Sequence, residues 1–406
     1  MNHPPKKLSL DADLSDPGAI PENAITQAVT LMRTGRLHRY GEYSETEPHA
    51  ALLEMEFAEY VGAKFAIGIN SGGCAIFLGL KIADVKQGDK VLVNGFNLAP
   101  VPGAIQHAGA EAVLVEINDD YRINLDDLRA KADESQAKVL LLTHMRGHIA
   151  NMNKVVEICT DKGLVLVEDC AHTMGAKWHG TFTGRFGQIG CFSTQTFKHI
   201  NSGEGGILIT DDEDMAAKAI LYSGSYMLYG QHRSVPSMKT FEKWKKHIPN
   251  FSMRMSNLVA CLLRSQLREI SQRAEKWNQI YAWLEQKLNT IDGIEVPMRE
   301  DNEEYVASSI QFHVRGLKEG ILEQLIDRCT HRGVTIKWFG RGEPMGYTCQ
   351  YDHWQYLRPQ SLGQTSEILA TTCDMRIPLS LTEEQCDTIT EIIREEIALA
   401  YTNLSN

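Results

Sequence analysis

Short apolar segments recur between residues 65 and 210, and helical patterns separate most of them. The predicted strands cover residues 65–69, 91–93, 112–115, 139–143, 164–168, 189–192 and 207–210. The intervening segments, such as 153–162 and 215–221, carry apolar residues at helical spacing. This alternation predicts an α/β fold whose mostly parallel, seven-stranded sheet is sandwiched by helices.

The chain of 406 residues exceeds the size of one ordinary core, so we expect more than one domain. We predict an N-terminal arm over 1–24, a large domain over 25–270 and a small C-terminal α+β domain over 271–406. The small domain is predicted to contain strands at 308–314 and 335–338 and helices at 319–332 and 382–399.

Two segments before the small domain have contrasting patterns. Residues 238–250 carry many lysines and aromatics without a clear period, which predicts a long loop. Residues 257–288 keep a helical pattern throughout and predict a long helical stretch.

Charge and composition narrow the class of protein. A formal net charge of −11 argues against a nucleic-acid-binding protein. The chain has no apolar run of about 18 residues, and its first eight residues lack the apolar core of a secretory signal. Nine cysteines are scattered without paired spacing, and the histidine spacings fit no metal site. We therefore expect a cytoplasmic protein with reduced thiols, no membrane or nucleic-acid partner and no bound metal.

A lysine follows the predicted strand 189–192. Residues 193–198 read Ser-Thr-Gln-Thr-Phe-Lys, and a Gly-Glu-Gly-Gly turn at 203–206 leads directly into the next strand. A lysine between two buried strands faces the cavity at their ends, where burial or a nearby cation lowers its pKa. Lys198 is therefore a candidate Schiff-base lysine, and the alternative is a surface lysine in a hairpin.

Two further segments carry the groups that a pyridoxal phosphate (PLP) site needs. Asp169 directly follows the predicted strand 164–168, where a carboxylate could keep a pyridine nitrogen protonated; the alternatives are a helix N-cap, which is the common one, and a metal ligand. Ser71, Gly72 and Gly73 join a strand to an apolar helix, whose free N–H groups and dipole favour an anion such as phosphate. Together, a phosphate-binding turn, a strand-end aspartate and a turn lysine satisfy this one cofactor.

These motifs resemble the sugar-aminotransferase branch of fold-type I PLP enzymes, the DegT/DnrJ/StrS family. The resemblance extends from about residue 25 to about residue 390. The matching segments are 32–37, 70–72, 168–172, 192–193 with Lys198, 203–206 and 254–258. The lysine with its Gly-Glu-Gly-Gly tail is the most specific of them.

The resemblance implies a role for each catalytic position. Lys198 would form the Schiff base with the cofactor and move the substrate proton, and Asp169 would pair with the pyridine nitrogen. His172 would lie beside the ring and its phenolic oxygen. Ser193 would join Ser71, Gly72 and Gly73 around the phosphate, and Gln195 stands where cyclitol-aminating relatives also have glutamine.

The chain departs from the family pattern at several cofactor-binding positions. Leu98 occupies the usual place of the aromatic residue that stacks on the ring, so either Leu98 or Phe96 covers the ring face. The asparagine that reaches the neighbouring subunit's phosphate has Ser252 in its place and Asn250 two residues earlier, and both remain candidates. Arg254 is a further candidate for substrate binding.

Arg146 is the residue that differs most from the family pattern near the site. The family's His-Leu-Tyr-Gly segment reads His-Met-Arg-Gly at 144–147, directly after the predicted strand 139–143. A guanidinium group binds carboxylates or phosphates with two hydrogen bonds, so Arg146 could bind an anionic group of a substrate. The alternative is a structural ion pair with a carboxylate such as Asp169 or Glu168.

The sequence thus predicts a PLP-dependent aminotransferase. The resemblance implies glutamate or glutamine as amino donor, pyridoxamine phosphate as the amino-carrying form, and a keto sugar, keto cyclitol or similar small ketone as acceptor, in secondary-metabolite or cell-surface sugar biosynthesis. It also implies a homodimer with shared active sites. Two alternatives remain: a sugar dehydratase of the same fold, whose members carry histidine in place of Lys198, and a non-catalytic PLP-binding protein.

Overall fold

The computed structural model describes residues 7–41, 48–348 and 350–404, so the first six residues of the predicted arm lie outside it. The N-terminal part contains, in chain order, α1 (Glu22–Thr34), α2 (His49–Val61), β1 (Phe65–Ile69), α3 (Gly72–Ile82), β2 (Lys90–Asn94), α4 (Pro100–His107), β3 (Glu111–Val115), α5 (Leu125–Ser135), β4 (Val139–Thr143), α6 (Met152–Lys162), β5 (Val165–Asp169), β6 (Lys177–Trp178), β7 (Thr181–Phe182), β8 (Ile189–Ser193), β9 (Gly206–Thr210), α7 (Glu213–Ser223) and α8 (Met238–Trp244). The C-terminal part contains α9 (Asn257–Arg268), α10 (Ile270–Leu288), β10 (Ile294–Glu295), β11 (Glu303–Glu304), β12 (Ser309–Val314), α11 (Glu319–His331), β13 (Lys337–Trp338), α12 (Gly363–Leu369), β14 (Thr372–Arg376) and α13 (Glu383–Leu404).

The large sheet has seven strands in the order β1-β9-β8-β5-β4-β2-β3. Strands β8, β5, β4, β2 and β3 run parallel to one another, and β9 runs antiparallel to both of its neighbours. This confirms the predicted mostly parallel sheet. Helices cover both faces, which is why the central strands are continuous apolar runs rather than alternating ones.

The alternation of side chains along each strand divides the apolar interior between the two faces of this sheet. Leu92, Leu140 and Leu166 point into one core, while residues next to them on the same strands, such as Val93 and Val167, point into the other. The first core continues into the C-terminal part of the chain. The apolar core is therefore continuous across residue 270, and the predicted domain boundaries stay predictions.

The C-terminal part builds a four-stranded antiparallel sheet in the order β10-β12-β14-β13. Helices α10, α11 and α13 pack on it. Strand β14 was not predicted, because its sequence Thr-Cys-Asp-Met-Arg lacks a continuous apolar run. None of the helices in the described ranges is both long and apolar enough to cross a bilayer.

Two sequence predictions near the middle of the chain need correction. The predicted loop over 238–250 contains helix α8, which is held by the fully buried Phe241 ring stacked on Tyr229 with ring centroids 4.1 Å apart. The long helical stretch from 257 is two helices, which meet at Glu269. In both cases tertiary contacts decide a boundary that local periodicity does not show.

Strand ends gather the candidate residues at one edge of the large sheet. The parallel strands β4, β5 and β8 all end there, and the antiparallel pairing of β1 and β8 with β9 brings Ile69 and Ser193 opposite Gly206. Ligands of open α/β sheets bind at this edge.

Candidate active site

The turn after β1 forms an anion-binding helix end. Ser71 is the N-cap of α3, and its Oγ accepts a hydrogen bond from the backbone N–H of Cys74 at 3.1 Å. The N–H groups of Gly72 and Gly73 lie in the first turn, where a helix offers no internal acceptor. The site therefore presents N–H donors and the positive end of a helix dipole.

Two glycines bring this helix end into contact with β8 and β9. A Cβ on Gly72 would lie 2.6 Å from the Cβ of Ser193, and one on Gly206 would lie 2.5 Å from the carbonyl oxygen of Ser71. A side chain at either place would push the elements apart. At Gly73, by contrast, a Cβ would meet only Pro100 at 3.6 Å, so the space in front of this residue is open.

Lys198 lies in the turn between β8 and β9, and its amine is 2.8 Å from Nε2 of His172. The backbone N–H of Arg146 donates to the other ring nitrogen, Nδ1, at 3.3 Å. A neutral imidazole whose Nδ1 accepts must carry its proton on Nε2. His172 can then donate only to an unprotonated lysine amine.

The electrostatic surroundings favour this neutral pair. Burial, together with the charge of Arg146, lowers the pKa of Lys198 to about 7. Burial and the charges of Lys198 and Arg146 hold the pKa of His172 well below its usual range. An amine with this pKa is a competent nucleophile at neutral pH.

Asp169 is the last residue of β5 and is buried. Its Oδ1 accepts a hydrogen bond from the N–H of Ala171 at 3.0 Å. Burial raises the pKa of this carboxyl, while the Ala171 N–H and the positive charge of Lys198 oppose the rise. A cationic ring nitrogen next to Asp169 would stabilise the ionised form in the same way.

The preceding residue, Glu168, has a structural task. Its carboxylate accepts the backbone N–H groups of Gly184, Phe186 and Gly187 at 2.7–2.8 Å, and Nε2 of His144 lies 3.2 Å away. His144, Glu168 and Cys170 are close enough to suggest a metal site. Because protein donors already satisfy this carboxylate, we explain the cluster as a set of structural hydrogen bonds that hold the loop before β8.

Arg146 has a structural partner, although neither of the two carboxylates expected from the sequence. Its Nη2 lies 3.1 Å from the Oδ2 of Asp374 on β14, and its guanidinium group lies over the ring of Phe339 at 5.6 Å. Its backbone is left-handed, with φ 54° and ψ 24°, and this conformation directs its N–H at His172. The residue thus contributes to the site through its backbone as well as its charge.

A second arginine, Arg376, which the sequence analysis did not single out, lines the same cavity as Lys198 and Arg146. It is the last residue of β14, and its guanidinium group stacks on the ring of Phe197 at 3.6 Å from the centroid. Its strand was not predicted, so nothing in the sequence indicated that it returns to the lysine.

The two candidates for covering the cofactor ring differ in exposure. Phe96 is fully buried, with its ring packed edge-on against Phe339 at 4.8 Å and near Tyr121. Leu98 is only partly buried and packs on the outside of the same cluster. A residue that stacks on a bound ring must keep one accessible face, which favours Leu98.

The segment 250–254 lies beside the C-terminal end of helix α7. The Oδ1 of Asn250 accepts the N–H of Ser252 at 2.9 Å, and Ser252 has a left-handed backbone with φ 57°. Both side chains are exposed. Arg254 donates to the carbonyl of Gly224 at 3.1 Å and stacks on Tyr226. Gln195 is half-buried, and its Oε1 accepts the N–H of Phe197.

The residues present fit pyridoxal phosphate. The anion site, Ser193, the buried Asp169 and the amine of Lys198 offer in turn a phosphate site, a partner for the ring nitrogen and a nucleophile. On a largely parallel sheet covered by helices, this set of groups defines a PLP-dependent transferase of fold-type I.

The comparisons agree with this class. Residues 22–394 match the profile of the DegT/DnrJ/EryC1/StrS aminotransferase family, so the chain belongs to that family. It is similar to 3-amino-5-hydroxybenzoate synthase of Amycolatopsis mediterranei, with 31% identity over 288 residues that cover 70% of this chain and 71% of the relative. It is also similar to GDP-perosamine synthase of Caulobacter vibrioides, with 31% identity over 237 residues, or 58% of this chain and 61% of that one.

Solved structures show the same fold. A crystal structure of 3-amino-5-hydroxybenzoic acid synthase aligns with a TM-score of 0.82 at 23% identity, covering 97% of this chain and 100% of the other. The pyridoxamine phosphate (PMP) form of a putative sugar aminotransferase from Streptococcus pneumoniae aligns with a TM-score of 0.82 at 19% identity. The alignment covers 96% of this chain and 98% of the other. Membership of the aminotransferase family, together with a site that fits pyridoxal phosphate, makes the protein a PLP-dependent aminotransferase.

Proposed function

We propose that the protein transfers an amino group from glutamate or glutamine to the keto group of a sugar, a cyclitol or a similar small ketone. The observation that carries this proposal is the 2.8 Å contact between the Lys198 amine and His172 at the edge of a cavity, where the charge of Asp169 also acts on the lysine. The relatives named above, an aminohydroxybenzoate synthase and a perosamine synthase, support a six-membered ring as the acceptor.

Each residue has a proposed task. When bound, PLP supplies a conjugated ring that takes up the electron pair of a breaking substrate bond. Lys198 would hold the cofactor through Nζ, and its amine would move the substrate proton. Asp169 would keep the ring nitrogen protonated, because its buried carboxylate would gain a cationic partner. His172 would donate from Nε2 to the Lys198 amine or to an oxygen of the ring.

The phosphate is proposed to lie at the start of α3. The N–H groups of Gly72 and Gly73 and the hydroxyls of Ser71 and Ser193 would hold it, since all four residues border the same helix end. Leu98 rather than Phe96 would cover the ring, and Gln195 would lie on the side of Lys198.

We further propose a homodimer that shares its active sites. On α1, Ala24 and Ala28 are buried, whereas Ile25, Val29 and Met32 leave an apolar face exposed at helical spacing. Asn250 is proposed to reach the partner's phosphate, because its Oδ1 is occupied by Ser252 and its Nδ2 stays available to donate. Arg254 would support this segment through Gly224.

Hybrid dimers test the shared site. Lys198→Ala and Asn250→Ala should each abolish or strongly lower activity, but a mixture should regain part of it, because one site of a hybrid is intact. The mixture should stay inactive if subunits cannot exchange, so exchange is followed with differently tagged chains. Inactive hybrids despite demonstrated exchange would exclude the crossing role of Asn250.

The donor and acceptor are tested with the native holoenzyme. Glutamate or glutamine, added singly, should change the cofactor absorbance, because the cofactor gains an amino group. Keto sugars, keto cyclitols and simple ketones added afterwards should restore the spectrum when they accept it. A spectrum that no amino donor alters would contradict the proposal.

We also propose a cytoplasmic location, which the buried free thiols Cys170, Cys191 and Cys261 favour.

A further inference from the structure

Two arginines line the cavity beside Lys198. Arg146, Arg376 and Lys198 line it together, with Phe197, His172 and Ser309 between them. The charge of Arg146 lowers the pKa of both Lys198 and Arg376. Arg146 and Arg376 repel each other at one wall and need a counter-charge, of which Asp374 supplies only part.

The two arginines are balanced differently. Arg146 is buried and paired with Asp374 at 3.1 Å, so its charge is largely compensated. Arg376 is half-buried on the face of Phe197, and no acidic side chain of the described chain lies within ion-pair distance of it. Asp374 lies two residues before it on β14, but its carboxylate is directed at Arg146 and Gln311.

Another acid at this cavity, Asp16, is also engaged. Its carboxylate accepts the N–H of Gly18 at 2.9 Å and the hydroxyl of Ser380 at 3.0 Å. Arg376 is thus a partly desolvated arginine that lines a cavity. Burial already lowers its pKa, so an anion bound there would be stabilised by more than at the surface.

Position makes a substrate the natural source of that anion. Phe197 directly precedes Lys198 in the chain. Because Arg376 stacks on the ring of Phe197, its guanidinium group lies next to the segment that carries the reactive amine. The carboxylate is the anion best suited to a single planar guanidinium group, because its two oxygens match two parallel N–H donors.

We propose that Arg376 forms a carboxylate-binding subsite, so that a substrate is bound through a carboxylate at one end while its reacting carbon lies at Lys198. This inference rests on the proposed aminotransferase function and specifies the substrate class of that site. The carboxylate could belong to the amino donor or to an acidic keto acceptor, and the two sources are separated below.

Binding is measured by titration calorimetry, with and without cofactor. The probes are two carboxylates and their neutral amides: glutarate with glutaramide, which represent the donor, and 3-hydroxybenzoate with 3-hydroxybenzamide, which represent an acidic ring acceptor. Inorganic phosphate serves as a competing anion. The variants are Arg376→Met, which keeps an unbranched apolar stem but removes the guanidinium group, Arg376→Lys, which keeps the charge, and Arg129→Met, a control at a half-exposed arginine paired with Glu157.

The native protein should bind at least one carboxylate about tenfold more tightly than its amide, a difference of about 1.4 kcal/mol. Arg376→Met should abolish that preference, Arg376→Lys should keep part of it, and Arg129→Met should keep all of it. Loss for glutarate alone assigns the subsite to the donor, and loss for 3-hydroxybenzoate assigns it to an acidic acceptor. Phosphate should compete more weakly than the preferred carboxylate.

Three results would overturn the inference. The first is a native protein that binds acids no better than amides, a result that needs no variant to fold. The second is an unchanged preference in Arg376→Met with a native circular dichroism spectrum. The third is phosphate displacing the probes more strongly than any carboxylate. If donors still change the native cofactor spectrum, only the subsite is wrong; if none does, the proposed function itself fails.

Discussion

The backbone N–H of Arg146 donates to Nδ1 of His172 at 3.3 Å, and this bond fixes which proton the histidine can offer to Lys198. The left-handed conformation of Arg146 provides the geometry. His172 therefore acts as an N–H donor, a property that a glutamine side chain shares.

Replacing His172 tests this donor role. His172→Gln should preserve the low pKa of Lys198, because the amide N–H can donate to the neutral amine, whereas His172→Met should raise that pKa. The measurement is the pH dependence of covalent cofactor uptake by the apoprotein, followed after borohydride reduction. The midpoint should move upward only in the methionine variant. Equal profiles for both variants would show that His172 does not tune the amine.

The low pKa of Lys198 predicts a pH dependence of stability. An unfolded lysine titrates near 10.4, whereas in the folded apoprotein the pKa of Lys198 is lowered to about 7. Between these values the unfolded chain binds more protons, so this residue makes the free energy of unfolding rise with pH, by up to about 1.4 kcal/mol per unit. Urea unfolding of native and Lys198→Met apoprotein at pH 7, 8 and 9 should diverge accordingly. Parallel pH profiles would argue that the amine is charged when folded.

Adjacent glycines provide a matched pair at the anion site. Gly72→Ala should lower both stability and cofactor affinity, because its Cβ would lie 2.6 Å from that of Ser193. Gly73→Ala should leave stability within about 0.5 kcal/mol of native, since only Pro100 lies nearby at 3.6 Å. Thermal unfolding and cofactor titration compare the two. A harmless Gly72→Ala would mean that α3 and β8 are not packed as described.

Asp169→Asn should keep the fold and some cofactor but lower the turnover by several orders of magnitude. An amide cannot stabilise a protonated ring nitrogen, so the ring becomes a poorer electron acceptor. Turnover with the preferred donor is compared with that of Asp133→Asn, a control at an exposed ion pair. Near-native turnover of the Asp169 variant would place the essential carboxylate elsewhere.

Much of the fold follows from local sequence, because strands buried on both faces are continuous apolar runs. The predicted bounds 65–69 and 139–143 coincide with β1 and β4 for this reason. Helix α8 escaped prediction, because seven residues are too short for a period and Phe241 is held by the distant Tyr229.

In the site, too, some residues could be predicted from local sequence and others depend on tertiary contacts. Residues that sit on strand ends or turns of the large sheet, such as Lys198 and Asp169, could be proposed from their immediate neighbours. The partner of Arg146 could not, since Asp374 comes from β14 far along the chain, and Arg376 reaches the cavity on the same strand. Only the tertiary fold brings them to the lysine.

The most direct test of the account is to find where the cofactor is attached and whether an amino donor releases it. The holoenzyme is reduced with borohydride before and after addition of glutamate or glutamine, and peptides are examined by mass spectrometry, with Lys198→Ala as the control. We expect the cofactor mass on Lys198, its loss after treatment with a donor, and no label in the variant. A label on another lysine, or a label on Lys198 that neither donor removes, would contradict the account.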